Sequence, residues 1–471
     1  MASELNQAIS PPMDITQYKA MSGCKISRVS IQPENRTEIA LNSGQNSDIY
    51  FAIPSRPNCF INPQNTYMSF TYSVAGTTAT AGSVSLANGS GSSFIRTLEV
   101  LCGSTSVELI NSYNVVAAVC NDFQPQDRGR TIGAILSDSK EWIAGGDSST
   151  IKEGTERNVT AGQSAASQER RICVPLLSCM LGTLSEKYVP VGRDTGMRLR
   201  LTMEDPIVCL VATATAAPAA GVASFDASNM SYRLSDITIE VEMIELPQPM
   251  YQALANEAGN VFKVCGTSIG SFAVTTPSGG QAQSIMIPAR YSSVRNIFTT
   301  VRRQDALNNR YTNSVGARIR DFISTYVYRV SGVNYPNLPV AVDGFTGAEV
   351  FSELCKCWSA HASLDLNVVF NATQFNTSGT EAIVSTNAAA TATKPTWQTR
   401  GSFLMGVSFE ESGFSSAQMS GINTTSGNTF LDITYSGLPN TGCQATIFDS
   451  FVFYDTIIEI NNITGEVTVS R

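Results

Sequence analysis

The chain has 471 residues, 42% hydrophobic and 15% charged, with a net charge of −8. That length gives two or three domains with room for sizeable cores, and the acidic balance excludes a protein that captures nucleic acid by overall charge. Charged residues make up about a quarter of most soluble chains; here Ser, Thr, Asn, Ala and Gly fill the gap, either because broad surfaces are buried against neighbouring subunits or because this is simply a Ser/Thr-rich β protein.

Residues 1–23 are polar and carry Pro11-Pro12, and read as an N-terminal arm. The opening MASELNQAIS lacks the basic and apolar segments of a secretory leader, so no secretory route is expected. Nor is any apolar run long enough to cross a bilayer. Strands are predicted at Lys25–Ile31, Asp48–Ile53 and Tyr67–Val74, followed by a Gly/Ser/Ala/Thr loop over 75–91. Phe94–Leu101 reads as a strand that turns at Gly103-Ser104 into Val107-Glu108-Leu109, and 110–120 reads as a short helix. Asp122–Arg171 is too long and polar for a simple connection, and its Ile135, Trp142 and Ile143 give it something to pack, so it is expected to be a functional or interface loop. Strands resume at Ile172–Leu177, Lys187–Val191 and Met197–Met203, the last alternating Met197, Leu199, Leu201 and Met203 against Arg198, Arg200 and Thr202. A low-complexity loop over 211–228 precedes a closing strand, Ser235–Leu246.

Pro at its start and Gly at its stop make 247–260 a linker helix. The plan then repeats. Strands are predicted at Val261–Ser268, Ser284–Pro288, Val294–Val301, Phe322–Val330, Leu364–Phe370, Phe403–Phe409 and Thr429–Tyr435. A helix after Thr346 has Glu349 completing a capping box, and Val350, Phe351, Leu354 and Trp358 form its apolar face. Asn371–Thr399 is a second long loop. The chain ends in a long apolar and aromatic strand, Ile447–Ile460, which turns through Asn461, Asn462 and Gly465 into Glu466–Val469.

Three marks recur in one order. Each half has an opening strand, a Ser-Ser-apolar-Arg stretch followed by a helix (Ser92-Ser93 with Arg96, Ser292-Ser293 with Arg295), and a closing strand ending Ile-Glu-aliphatic (Ile244-Glu245-Leu246, Ile458-Glu459-Ile460). Shared order argues for duplication, and many short strands with Gly/Ser turns argue for antiparallel sandwiches. The expected architecture is all-β: an arm (1–23), a first sandwich (24–246), the linker helix (247–260) and a second sandwich (261–471).

The chemistry that would mark an enzyme is missing. His361 is the sole histidine, which removes multi-histidine metal sites and leaves His361 as the one base for a triad; just beyond a helix it is better read as structural. No phosphate-cradling Gly motif follows a strand. The adjacent Glu410-Glu411 would point to opposite faces of an extended chain. The eleven cysteines are scattered and odd in number, which suits buried free thiols better than a disulfide framework. No cofactor, metal or catalytic residue is expected. One charge cluster stands out: Arg290, Arg295, Arg302, Arg303, Arg310, Arg318, Arg320 and Arg329, with no Lys and only Asp305 and Asp321 among them. Arginine without lysine suits bidentate pairing with carboxylates at subunit contacts as well as with phosphate; because the chain is acidic, subunit contact is favoured over contact with a genome.

With the segments laid out, the sequence resembles the double jelly-roll major capsid proteins of virophages, polinton-like viruses and other tailless icosahedral DNA viruses, with adenovirus hexon as a larger relative. The residues that carry the likeness are Val174-Pro175-Leu176-Leu177-Ser178, Leu181-Gly182 and Lys187-Tyr188-Val189-Pro190 ahead of Met197–Thr202 in the first half. In the second they are Tyr328-Arg329, Gly332, Tyr335-Pro336 and Pro339-Val340, then Glu349 and Glu353-Leu354, and finally Phe453-Tyr454-Asp455 with Thr464-Gly465-Glu466-Val467. The resemblance implies two tandem eight-stranded jelly-roll β-sandwiches standing upright in a shell, a homotrimer with a pseudo-hexagonal outline, and contacts with neighbouring capsomers and a penton or minor capsid protein. It implies a virion protein without catalysis, and leaves an underlying lipid layer open. The competing classes are a tandem β-sandwich adhesin or lectin-like protein, and a β-sandwich carbohydrate hydrolase, which would need a cleft with two converging carboxylates.

Overall fold

The computed structural model describes residues 24–75, 82–123, 142–143, 151–152, 157–159, 169–214, 231–277, 282–304, 315–342, 347–357, 375, 402–410, 421–436 and 445–471, apart from 43, 46, 88–89, 186, 192–195 and 317. The N-terminal arm, Thr346, His361, the strand expected at Leu364–Phe370, nearly all of Asn371–Thr399 and most of Asp122–Arg171 lie outside the described residues.

The first half opens with β1 (Lys25–Ile31), β2 (Ile39–Asn42), β3 (Asp48–Ala52) and β4 (Cys59–Ala75), then β5 (Gly82–Leu86), β6 (Ile95–Cys102) and β7 (Thr105–Asn111). Helix α1 (Tyr113–Asp122) is followed by the short strands β8 (Trp142–Ile143), β9 (Ile151–Lys152) and β10 (Arg157–Val159). The half closes with β11 (Arg170–Pro175), β12 (Val189–Pro190), β13 (Met197–Met203), the one-turn α2 (Pro206–Cys209), β14 (Leu210–Ala214) and β15 (Ser231–Glu245). Helix α3 (Gln248–Glu257) leads to β16 (Val261–Pro277), β17 (Ala282–Ile287), β18 (Val294–Arg303), β19 (Ile323–Val330) and β20 (Val333–Ala341). Then come α4 (Ala348–Cys357), β21 (Met405–Ser408), β22 (Thr429–Tyr435), β23 (Ala445–Asn461) and β24 (Val467–Ser470).

Both halves have one strand order. In the first, β1-β15-β4-β11 faces β3-β13-β6-β7; in the second, β16-β23-β18-β21 faces β17-β22-β19-β20. Counting the barrel strands of each half from one to eight, with β1 and β2 taken together as the first, the order is 1-8-3-6 over 2-7-4-5 in both. This is jelly-roll connectivity, in which every connection except the hairpin between strands four and five crosses between two antiparallel sheets. The first strand is interrupted in one half only. Along β15, β1 covers Ile239–Glu245 and β2 covers Ser231–Leu234, whereas β16 runs unbroken along β23 from Val261 to Pro277.

Alternation drives the packing. In β13 the side chains of Met197, Leu199, Leu201 and Met203 are buried and Arg198 is exposed, as period two requires. On the outer face Arg200 reaches Asp48 at 2.7 Å and Glu99 at 3.3 Å, and Thr202 donates to Asp48 at 2.7 Å. Burial alone would raise the Asp48 carboxyl, but these partners outweigh it and hold it below the usual range. Between the sheets Phe94 packs on Phe70, Tyr72 and Tyr232 at centroid distances of 5.7, 5.7 and 4.7 Å. Full burial of such a ring stabilises the fold by about 2–3 kcal/mol. In the second half, buried Tyr326 and Tyr328 satisfy their hydroxyls on the Gly406 carbonyl (3.2 Å) and the Thr299 hydroxyl (2.9 Å).

The structure corrects three expectations. β5 lies inside the stretch taken as a Gly/Ser/Ala/Thr loop, and β14 runs from Leu210 into the low-complexity loop; β5 pairs with both β14 and β10 in a separate three-stranded sheet. Its strands come from the connections between barrel strands three and four, five and six, and seven and eight, which leave the same end of the barrel. β20 was not expected because it contains Pro336 and Pro339, yet it is an edge strand, where a missing N–H is tolerated. The Ser-Ser echo joins strands that are not equivalent: Ser92-Ser93 precede β6, the fourth strand, and Ser292-Ser293 precede β18, the third. The helices do correspond, since α1 and α4 each follow the fifth strand and precede the sixth.

Candidate functional site: the junction between the two barrels

An extensive contact among the described residues joins the two halves of the chain. One continuous cluster of buried apolar residues runs through both barrels. Edge strand β7 of the first faces edge strand β16 of the second without a shared ladder. Glu108 stands on β7 inside this contact, fully buried. The Cys179 backbone N–H donates to it at 2.8 Å, the Ser178 hydroxyl also donates to it, and from the other barrel the Ser268 hydroxyl lies at 3.4 Å.

The loop after β11 carries these donors. It folds back so tightly that a Cβ at Gly182 would lie 2.1 Å from the Leu176 carbonyl oxygen, so only glycine fits. Its far end meets β16: Thr267 N–H donates to the Leu184 carbonyl at 3.3 Å, and Ser185 bridges to Gly266. A Cβ at Gly266 would stand 2.7 Å from Cys179 Sγ and 3.0 Å from the Leu184 oxygen. Gly266→Ala should therefore cost about 1–3 kcal/mol through overpacking, seen as a lower denaturation midpoint; an unchanged midpoint would mean the barrels part there without cost.

Three further contacts tie the halves. The Arg471 guanidinium donates to the Ser106 and Val107 carbonyls at 2.8 and 3.0 Å, pinning the end of the chain to β7. Phe60, Tyr251 and Phe262 form an aromatic trio from β4, α3 and β16, and the Tyr251 hydroxyl donates to Asn462 Oδ1 at 2.7 Å. Lastly, Asp122 at the end of α1 forms an ion pair with Arg318 of the second barrel; both side chains are 1% exposed.

The eight arginines do not form one face. Arg302 is buried and donates to Asp449 at 2.6 Å. Arg318 is buried on Asp122. Arg295 pairs with Glu410 and lies 3.8 Å from Asp455, and Arg329 lies 3.2 Å from Asp432 and over the Phe430 ring. Arg320 is half-buried and Arg290 exposed; Arg310 and the side chain of Arg303 lie outside the described residues. Four of the cluster are thus committed to carboxylates of their own chain. The sequence reading missed Asp122, Glu108 and Gly266. Glu108 carried a signal, a lone carboxylate in an apolar strand between Val107 and Leu109-Ile110, whereas nothing near Asp122 in sequence announces Arg318.

The junction is built from buried apolar side chains and hydrogen-bonded polar groups. The ten cysteines among the described residues are free. Burial pushes the Cys102 thiol up to about 12, and the Cys120 thiol likewise although the Arg318 charge pulls it down. Among the described residues no group of three or more His, Cys, Asp or Glu could hold a metal ion, and no helix is long and apolar enough to cross a membrane.

No protein-family profile and no curated protein sequence matches the chain. Solved structures do. The Sputnik virophage structure aligns with a TM-score of 0.57 at 11% identity, over 95% of this chain and 88% of its own. The Faustovirus major capsid protein aligns at 0.54 and 10% identity, over 97% and 98%, and the PBCV-1 virus capsid at 0.52 and 10%, over 96% and 97%. The fold is that of the double jelly-roll capsid proteins. The alignments cover 95–97% of this chain and so run through both barrels. At 10–11% identity it is the fold that is shared.

Proposed function

We propose that this chain is a structural major capsid protein: three copies form a pseudo-hexagonal capsomer, and capsomers tile an icosahedral viral shell. The observation that carries this is the doubling. Two barrels of one strand order, joined through a buried junction, let a threefold assembly present six similar lobes, and symmetric assemblies need such self-complementary building blocks. The low charge content suits broad buried contacts, and the double jelly roll supports the same reading. On it, residues 24–246 and 261–471 delimit the barrels and 247–260 the linker. Neighbouring capsomers and a penton or minor capsid protein are the partners, the protein resides in the virion, and no reaction is catalysed. Genome contact through the arginine cluster is disfavoured, because four of its members already serve carboxylates within the chain.

Native mass measurement with negative-stain imaging tests this. Purified protein should weigh three chains, show a hexagonal outline and form ordered arrays or empty particles. A stable monomer that binds glycans would point to the adhesin class, and measurable sugar hydrolysis to the enzyme class; either would overturn the proposal.

A further inference from the structure

The contact between the barrels is built around one buried carboxyl. Glu108 is 1% exposed, and what holds it among the described residues is a set of donors rather than a cation. They are the Cys179 N–H at 2.8 Å, the Ser178 hydroxyl and, across the junction, the Ser268 hydroxyl at 3.4 Å. Ser178 Oγ in turn accepts from the Met180 and Leu181 N–H groups at 3.2 and 3.1 Å, so the loop after β11 is gathered on this carboxyl. Glu108 thereby joins three pieces of chain: β7, that loop and β16. Because β7 and β16 share no ladder, side-chain contacts of this kind hold them together.

The titratable and charged groups around Glu108 are each engaged elsewhere or uncharged. On β6, beside β7, Glu99 is turned to Arg200 and Ser106, and the residue opposite Glu108 is Val100. The loop brings the Cys179 thiol. β23 brings Tyr454, which bonds Ser268 and stacks on Tyr291 at 3.7 Å. The end of the chain brings Arg471, whose guanidinium is committed to the Ser106 and Val107 carbonyls. β16 presents the Ser268 hydroxyl. A neutral acid fits these surroundings. An ionised carboxylate out of water and without a countercharge does not, and has to be hydrated. Burial accordingly raises the Glu108 carboxyl above its ordinary value.

We propose that Glu108 is a proton-held latch between the barrels: when it gives its proton to solvent, β7 and the loop after β11 part from β16 and water reaches the carboxylate. Ser268 stands farther from the carboxyl than the Cys179 N–H does, so the opening falls on the β16 side. Cys179 reports it. A Cβ at Gly266 would lie 2.7 Å from its Sγ, so β16 covers this thiol only while the junction is shut.

The test is labelling of the full-length protein with N-ethylmaleimide from about pH 5 to about pH 8, read at each cysteine by peptide mass spectrometry. Parent, Glu108→Gln and Tyr454→Phe are compared, with denaturation midpoints as the control for folding. A buried thiol reacts from an opened state, and the ordinary pH dependence of an exposed thiol is common to all. The ratio of labelling at Cys179 to that at Cys102, buried in the core of the first barrel, therefore isolates opening at the junction. In the parent this ratio should rise by up to about tenfold per pH unit above the ordinary Glu108 value of 4.5, then level off past the folded value. It should stay flat in Glu108→Gln and rise as in the parent in Tyr454→Phe. A flat ratio in the parent overturns the latch without any variant, so the proposal stays testable even if Glu108→Gln does not fold. An undiminished rise in Glu108→Gln, or loss of the rise in Tyr454→Phe, would assign the titration to another group and overturn it too.

Discussion

Asp122→Ala should lower the stability of the chain by about 3–5 kcal/mol, the cost of truncating one partner of a buried ion pair, read as a shift in the midpoint of chemical denaturation. The carboxylate sits at the end of α1 in the first barrel and its guanidinium, Arg318, in the second, both almost wholly out of water. Taking two charges from water is costly, and their attraction offsets that cost only while both are present. Removing both should therefore hurt far less than removing one: Asp122→Leu with Arg318→Met is expected to recover most of the lost stability. The double-mutant cycle over these four proteins measures the coupling. Additive losses in the cycle would show that the pair does not join the barrels energetically.

Glu108→Ala should cost about 3 kcal/mol, because the Cys179 N–H and Ser178 hydroxyl would keep their burial and lose their acceptor. Its ionisation adds a dependence on pH. Burial raises the Glu108 carboxyl above its ordinary value, outweighing the hydrogen bonds from Cys179, Ser178, Met180 and Ser268 that favour the charged form. The folded chain thus holds this proton more tightly than the unfolded one. Its contribution is full below the ordinary value of 4.5 and is lost as pH rises through the folded value. Asp48 and Glu240 are shifted the other way, losing their contribution as pH falls, but they are common to parent and variant and cancel in the comparison. The stability advantage of the parent over Glu108→Gln should therefore shrink as pH is raised. A gap that widens with pH would mean Glu108 is held as a charged group.

Much of the architecture was legible because its strands declare themselves. Ile447–Ile460 has no Pro or Gly and is rich in aromatic and β-branched residues, and the structure extends it to 445–461. The alternation of Met197–Met203 is that of its burial. The helix read over 110–120 is α1, Tyr113–Asp122; its ends were misplaced because it is buried on nearly every side and has no polar stripe to mark its period. β5 and β14 mix Gly, Ser, Ala and Thr with a few Val and Leu inside stretches that look like loop, and they pair where three connections meet at one end of the barrel. The arginine cluster shows the limit most plainly. Eight like charges close in sequence suggested one surface, but Asp122, Glu410, Asp432 and Asp449, which answer four of them, are scattered along the chain and meet them only in the fold.

The interrupted first strand has a consequence for synthesis. Twin sandwiches in one polypeptide invite a newly made strand to dock on the wrong twin, a hazard of tandem domains. β16 needs a mate with which seventeen residues can stay in step, and β23 provides it. On β15 the pairing steps between Ile31↔Ile239 and Ile39↔Leu234, eight residues against five. A strand laid there in one register would turn its greasy side outward past the step. The break therefore makes β15 a poorer mate for β16 than β23 is.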